Sequence, residues 1–315
     1  MVAQRPAGNF DASGTWKDHG RMLLSRLLIA TSFPVGAAIT EGLDPAMLTL
    51  LRFTLAALLF APYVAIRHGL TLPPLKSLAG YSVISGVLVF FFWAMFEALR
   101  DTSALNTGAL FTLVPGIAAA YGVVLVRERI DRRRMIALFF GLVGALWVVF
   151  RGDPDRLVSL AFNRGDVLFL IACVVMALYM PLVNRFHRDE PTAVMTFWIM
   201  ATGAVWLLLV NNTAVWNTDW GQVDFNVFLG IAYLAVFTTI FTFFLQQHGT
   251  LRIGPTRATS YNYLNPALVV GLEWIVGHGL PPFMALPGVA IVLLATVVLQ
   301  LGVKEKRADQ PPSAI

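Results

Sequence analysis

Hydrophobic and polar positions alternate along this chain by whole segments, not by single residues. Apolar runs near the roughly 20 residues that a helix needs to cross a bilayer recur ten times, at about 22–40, 45–66, 76–99, 104–126, 133–150, 165–184, 191–210, 225–248, 256–277 and 283–302. Most are separated by a few polar residues. Three longer connections, "RHGLTLPPLK", "RGDPDRLVSLAFN" and "NNTAVWNTDWGQVD", carry turn formers and charges. The pattern predicts an all-α membrane protein of ten transmembrane helices, flanked by polar tails at 1–20 and 304–315. The first run, "MLLSRLLIATSFPVGAAIT", is interrupted by Ser25, Arg26 and Pro34 and followed by further apolar runs, which marks a retained helix, not a cleaved leader.

Charge then orients the helices. An even number of spans puts both termini on one side. Arg127, Arg129, Arg132, Arg133 and Arg134 fall on that side, with Lys17 and Arg21 near one terminus and Lys304, Lys306 and Arg307 near the other. The opposite side holds Arg100, Arg151, Arg156 and Arg164. The positive-inside bias places both termini in the cytoplasm. Composition agrees: of 315 residues, 57% are hydrophobic and 13% charged, against about 45–50% and about 25% in soluble domains. The net charge of +5 sits in short clusters between apolar runs, a topology signal that excludes a nucleic-acid partner. Cys173 is the only cysteine, so no disulfide framework or Cys/His metal cluster is expected. No Walker A, H-E-x-x-H or Rossmann fingerprint is present. The sequence therefore gives no sign of an enzyme, a cofactor or a metal.

The prolines hint at an internal repeat. Pro115 and Pro266 each fall mid-span, 151 residues apart; Pro34 and Pro181 are offset by 147, and Pro45 and Pro191 by 146. Their order divides the chain into a first five-helix unit at 21–152, a periplasmic linker at 153–164 and a second five-helix unit at 165–303. Five is odd, so the second unit enters the membrane from the opposite side. That is the inverted-repeat plan of many secondary transporters.

Four stretches carry a family resemblance: "PAMLTLLRFTLAALLFAP" with Pro45 and Arg52, "EALRDTSALNTGALFTLVPGIAAAYGVVLVRERI" with Pro115 and Glu128, "GDVLFLIACVVMALYMPLVNRF", and "GTLRIGPTRATSYNYLNPALVVGLEW". In order and spacing they resemble the EamA family of the drug/metabolite transporter superfamily, across about 22–302. The resemblance implies ten helices around a central cavity in a bacterial inner membrane. It also implies export or exchange of a small-molecule substrate, amino acids often among them, by alternating access; efflux of drug-like or cationic compounds, a membrane receptor that moves nothing, and a lipid flippase are the alternatives. The chain departs from the family at Gly279, where a second glutamate is common. In the repeat, Trp198 matches Arg52.

Candidate site residues follow from polar groups placed inside apolar runs. At helical spacing Asn262, Pro266, Val269 and Glu273 share one face, with Asn265 beside them. Unpaired polar groups cannot face lipid cheaply, so this face is expected to turn inward, either lining a solute path or joining helices. Glu273 suits an ammonium group or a proton, or it pairs with Arg52. Arg52 suits a carboxylate clamp or a structural tie, whereas Arg26, nearer the cytoplasmic end, is expected to snorkel. Trp93, Tyr179, Trp198 and Tyr263 are candidates for an aromatic lining or for core packing. Glu97 and its repeat counterpart His248 are gate or proton-coupling candidates, as is Glu273; a local pair of Glu97 with Arg100 is the simpler reading of that carboxylate. Pro34, Pro115, Pro181 and Pro266 are candidate hinges. The spacing of Gly141 and Gly144 favours close helix packing and permits a homodimer.

Overall fold

A computed structural model describes residues 16–126, 132–150, 152–153, 155, 163–188, 190–242, 245–246, 261–275 and 283–301. Among these residues there is no strand, as expected where every backbone polar group must find its partner within its own segment. Five helices are long and apolar enough to cross a membrane: Trp16–Ile39, Pro45–His68, Leu75–Ala98, Arg164–Val183 and Thr192–Val210. Shorter apolar helices cover Met135–Val148, Phe225–Phe241 and Leu286–Ala295.

The elements in chain order are α1 Trp16–Ile39, α2 Pro45–His68, α3 Leu75–Ala98, α4 Ala104–Leu110, α5 Val114–Val126 and α6 Arg132–Val149. After the linker come α7 Arg164–Met176, α8 Tyr179–Phe186, α9 Thr192–Val210, α10 Asn212–Asn217, α11 Phe225–Ala235, α12 Asn265–Ile275 and α13 Leu286–Leu301. Helix α1 begins at Trp16, inside the segment expected to be a tail. Its first turn carries Asp18, which pairs with Arg21 at 3.0 Å. The short α10 lies in a connection that the hydrophobic pattern left as loop.

Local chemistry sets several starts. The Asp44 carboxylate accepts from the backbone of Ala46 and Met47, and Pro45 follows it at the first helical position. Asn163 and Asp166 form a capping box at the start of α7. Prolines set the breaks, because a proline donates no N–H to the carbonyl four residues back and its ring crowds that carbonyl. Before Pro115 the chain narrows to a 3-10 turn, Phe111–Leu113. Before Pro181 it turns at Ala177 and Leu178 between α7 and α8. Before Pro266 it forms a 3-10 turn, Tyr261–Leu264. Pro34 lies inside α1 without interrupting it.

Helix α2 packs on α9, α4 on α12, α6 on α13, and α3 on both α7 and α9, while α1 meets α12 and α11. The α6–α13 seam depends on glycine. A Cβ on Gly144 would stand 2.9 Å from the Gly288 carbonyl oxygen, and one on Gly288 would stand 2.8 Å from that of Gly144. Four buried rings from different elements, Phe33, Phe91, Phe111 and Phe169, meet in one cluster with centroids 5.6–6.2 Å apart. The loops beside this cluster are laced together. Thr40 donates to the Phe96 carbonyl at 2.5 Å, and Arg100 reaches the carbonyls of Thr40 and Leu43 at 3.4 Å. Asn163 donates to the Asp101 carbonyl at 2.8 Å. Asp166 accepts from the Thr102 hydroxyl and from Asn106.

Candidate functional site

The π-helical segment Val236–Phe241 continues α11. Its wide turn lets two successive hydroxyls, Thr238 and Thr239, donate back to one carbonyl, that of Leu234, at 2.8 and 3.0 Å. Their remaining lone pairs face α2, where Arg52 is 2% exposed. Arg52 donates through Nη2 to Thr238 at 3.1 Å and through Nε to Thr239 at 3.2 Å. Its guanidinium carbon lies 4.0 Å from the centroid of the Phe92 ring, a cation–π contact. Nη1 is buried and has no hydrogen-bond partner among the described residues. Arg52 also has no ion pair among them. Single-turn π-bulges are frequent at functional sites, and this one presents a fixed, desolvated cation with one nitrogen to spare.

A second buried guanidinium lies elsewhere in the bundle. Arg26 of α1 is 4% exposed and does not snorkel as expected. It is enclosed by the turn before Pro266: Nη1 donates to Oδ1 of Asn262 and Nη2 to Oε1 of Gln246 at 3.1 Å. One 3-10 turn beyond Asn262, Asn265 is fully buried, and neither atom of its side-chain amide has a partner among the described residues. The expected α-helical face starting at Asn262 is corrected here. Asn262 belongs to the 3-10 turn, and the α-helix begins at Asn265.

The other candidates are dispersed. Tyr263 is buried, and its ring fills the space that a side chain at Gly141 would need, with Ala137 and Val292 alongside. The Gly141 and Gly144 face is thus covered by the chain's own Tyr263 and α13. Trp93 and Glu97 line an open groove of about 570 Å³ with Asn163, Arg164, Val167, Leu168 and Ile171, away from Arg52's bonded partners. Glu97 also reaches Arg100 at 3.5 Å across one helical turn, a partly exposed pair worth little by itself. Trp198 lines a second groove, of about 450 Å³, between α3 and α9, and its buried Nε1 has no partner among the described residues. Tyr179 opens α8 just past its break and packs against the main core. His248, Glu128 and the Glu273 side chain lie outside the described residues.

Sequence reasoning singled out Arg52, Asn262 and Asn265 but missed the groups from other elements that hold Arg52 and Arg26. Thr238, Thr239, Phe92 and Gln246 come from other elements. Their only sequence traces are "TT" and "QQ" in an apolar run.

The comparisons agree with this architecture. The EamA-like transporter family model matches residues 21–150 and 163–301. The chain is 25% identical over 244 residues to the uncharacterized transporter YyaM of Bacillus subtilis, covering 77% of this chain and 80% of that one. An uncharacterized transporter of Archaeoglobus fulgidus is 25% identical over 287 residues, 90% of this chain and 96% of the other. The uncharacterized inner membrane transporter YedA of Escherichia coli is 23% identical over 271 residues, 83% of each. A solved protein described as "Crystal structure of protein" superposes with a TM-score of 0.68 over 92% of this chain and 98% of its own, at 18% identity, a likeness of fold. A family match over both parts of the chain, on a bundle of membrane-length helices, makes this chain a member of the EamA-like transporter family, a multi-pass membrane protein.

Proposed function

We propose that the chain is an inner-membrane secondary transporter that exports or exchanges small metabolites bearing a carboxylate, amino acids among them, by alternating access. Ten spans form two inverted five-helix repeats with both termini cytoplasmic. Support for the repeat comes from the family model, which matches two consecutive stretches of similar length. Equivalent spans also meet each other, α2 with α9, α4 with α12 and α6 with α13, as elements related by a two-fold axis do. The name of the Escherichia coli relative supports the inner membrane. The laced loops beside the phenylalanine cluster support a state closed at that end. The groove at Trp93 and Glu97 then serves as an outer vestibule.

The observation that carries the substrate assignment is Arg52. Its charge is buried on neutral oxygens with Nη1 unpartnered among the described residues. An arginine inside a membrane costs at least about 2.5–3.5 kcal/mol, and a substrate carboxylate would complete its shell. Thermal unfolding of the purified protein with amino acids tests this, because a ligand of the folded state raises its stability by mass action. Wild-type protein is expected to gain melting temperature with carboxylate-bearing solutes and Arg52→Gln to gain none. Equal gains in both proteins remove Arg52 from the solute path.

A further inference from the structure

We propose that Arg26, Gln246, Asn262 and Asn265 form a second anion-binding station, and that the solute crossing this protein carries net negative charge. The station is distinct from the Arg52 site and extends the transporter reading, on which it rests.

The argument starts from what holds each guanidinium. Arg52 is held by two threonine hydroxyls and Arg26 by two amide carbonyl oxygens. Each of these oxygens orients the cation without neutralising it. A purely structural arginine inside a membrane normally meets a carboxylate or several backbone carbonyls. Neither Arg26 nor Arg52 pairs with a carboxylate among the described residues. Each also keeps a buried nitrogen without a partner among them, Nε of Arg26 and Nη1 of Arg52. The bundle therefore buries two positive charges whose donors are not exhausted.

Asn265 adds an independent observation. Its side chain is fully buried and makes no hydrogen bond among the described residues. Leaving such a group unsatisfied costs about 1–3 kcal/mol. It follows Asn262, the partner of Arg26, by three residues, at the step where the 3-10 turn gives way to the α-helix. Pro266 supplies the reason for that turn, since it withholds the N–H that the Asn262 carbonyl would meet in an α-helix. Asn265 thus holds an open, buried amide three residues along the chain from the one that binds an incompletely bonded guanidinium, and an amide and a guanidinium together suit a carboxylate.

The two stations touch one stretch of chain. Arg52 binds Thr239 and Arg26 binds Gln246, seven residues on. A cationic solute would meet two uncompensated positive charges along the same route. An anion, or a solute whose carboxylates outnumber its amines, gains at both.

A matched four-carbon series separates these cases: succinate, 4-aminobutyrate and 1,4-diaminobutane, each titrated against the purified protein in detergent with melting temperature as the readout. The expected order of stabilisation is succinate, then 4-aminobutyrate, then no gain with the diamine. Arg26→Gln is expected to weaken succinate binding by at least about tenfold, the loss of a hydrogen bond to a charged group. Arg26→Lys should keep part of that affinity. Should Arg26→Gln fail to fold, Asn265→Ala carries the test with the charge left in place, and the same tenfold loss is expected. Stabilisation by the diamine, or a response that does not differ across the series, overturns the anionic class. Wild-type succinate affinity in Arg26→Gln or Asn265→Ala, with loss in Arg52→Gln, overturns the second station and leaves the transporter reading standing. Wild-type affinity in all of these variants removes both stations and the solute path with them.

Discussion

Arg52 sets two demands against each other at the scale of the single residue. For stability, a buried guanidinium held only by hydroxyls is a poor choice, and an apolar side chain of similar length would suit the position better. For binding an anion it is a good one. Arg52→Met is therefore expected to unfold at the same temperature as wild type or higher, while losing carboxylate-dependent stabilisation. A drop in melting temperature comparable to that of a broken buried ion pair, about 3–5 kcal/mol, would show instead that Arg52 is a structural tie. Arg52 itself was legible in the sequence as a charge seven residues into an apolar run. Its surroundings were not, because Thr238 and Thr239 lie 186 and 187 residues away. Arg26 was misread for the same reason. Proximity to a helix end suggests snorkelling, but its partners Gln246 and Asn262, 220 and 236 residues on, close the route to water.

At the scale of the element, glycines and prolines govern how helices meet and where they yield. Gly144→Ala would push a Cβ against the Gly288 carbonyl oxygen, which cannot move aside as a flexible side chain can. A loss of about 1–3 kcal/mol is expected from such overpacking, read as a lower melting temperature in detergent. Gly116→Ala is the control: nothing lies within 4 Å of its added Cβ, and helix propensity favours alanine by up to about 1 kcal/mol. Asp166→Ala removes a capping box and the ties to Thr102 and Asn106 together, so a loss of about 1–3 kcal/mol is expected in the same assay. The sequence patterns foretold the long apolar helices well, since length and hydropathy alone define them. The breaks at Pro115, Pro181 and Pro266 were also legible, because the missing N–H acts on its own helix. The π-segment at 236–241 was not, since widening a turn by one residue leaves no mark on an apolar run beyond two adjacent threonines. For Tyr263 the sequence left a solute wall and core packing both open, and its ring occupies the notch left by Gly141.

At the scale of the whole molecule, the proposed path rests on three features. Helices of the two stretches that match the family pack against each other, polar contacts lace the loops at one end, and two cations are buried within the bundle. Carriers built from inverted repeats move solute by rocking one half against the other around a site held between them, and the proposed function assigns this chain to them. The measurement that tests this most directly is solute counterflow in lipid vesicles containing the purified wild-type protein, preloaded with the amino acid or carboxylate that stabilises it most. An alternating-access carrier is expected to accumulate trace labelled solute transiently above its equilibrium level, with no overshoot in vesicles bearing Arg52→Gln. Saturable binding by wild type without any overshoot would contradict the account and leave a membrane protein that binds its ligand without carrying it.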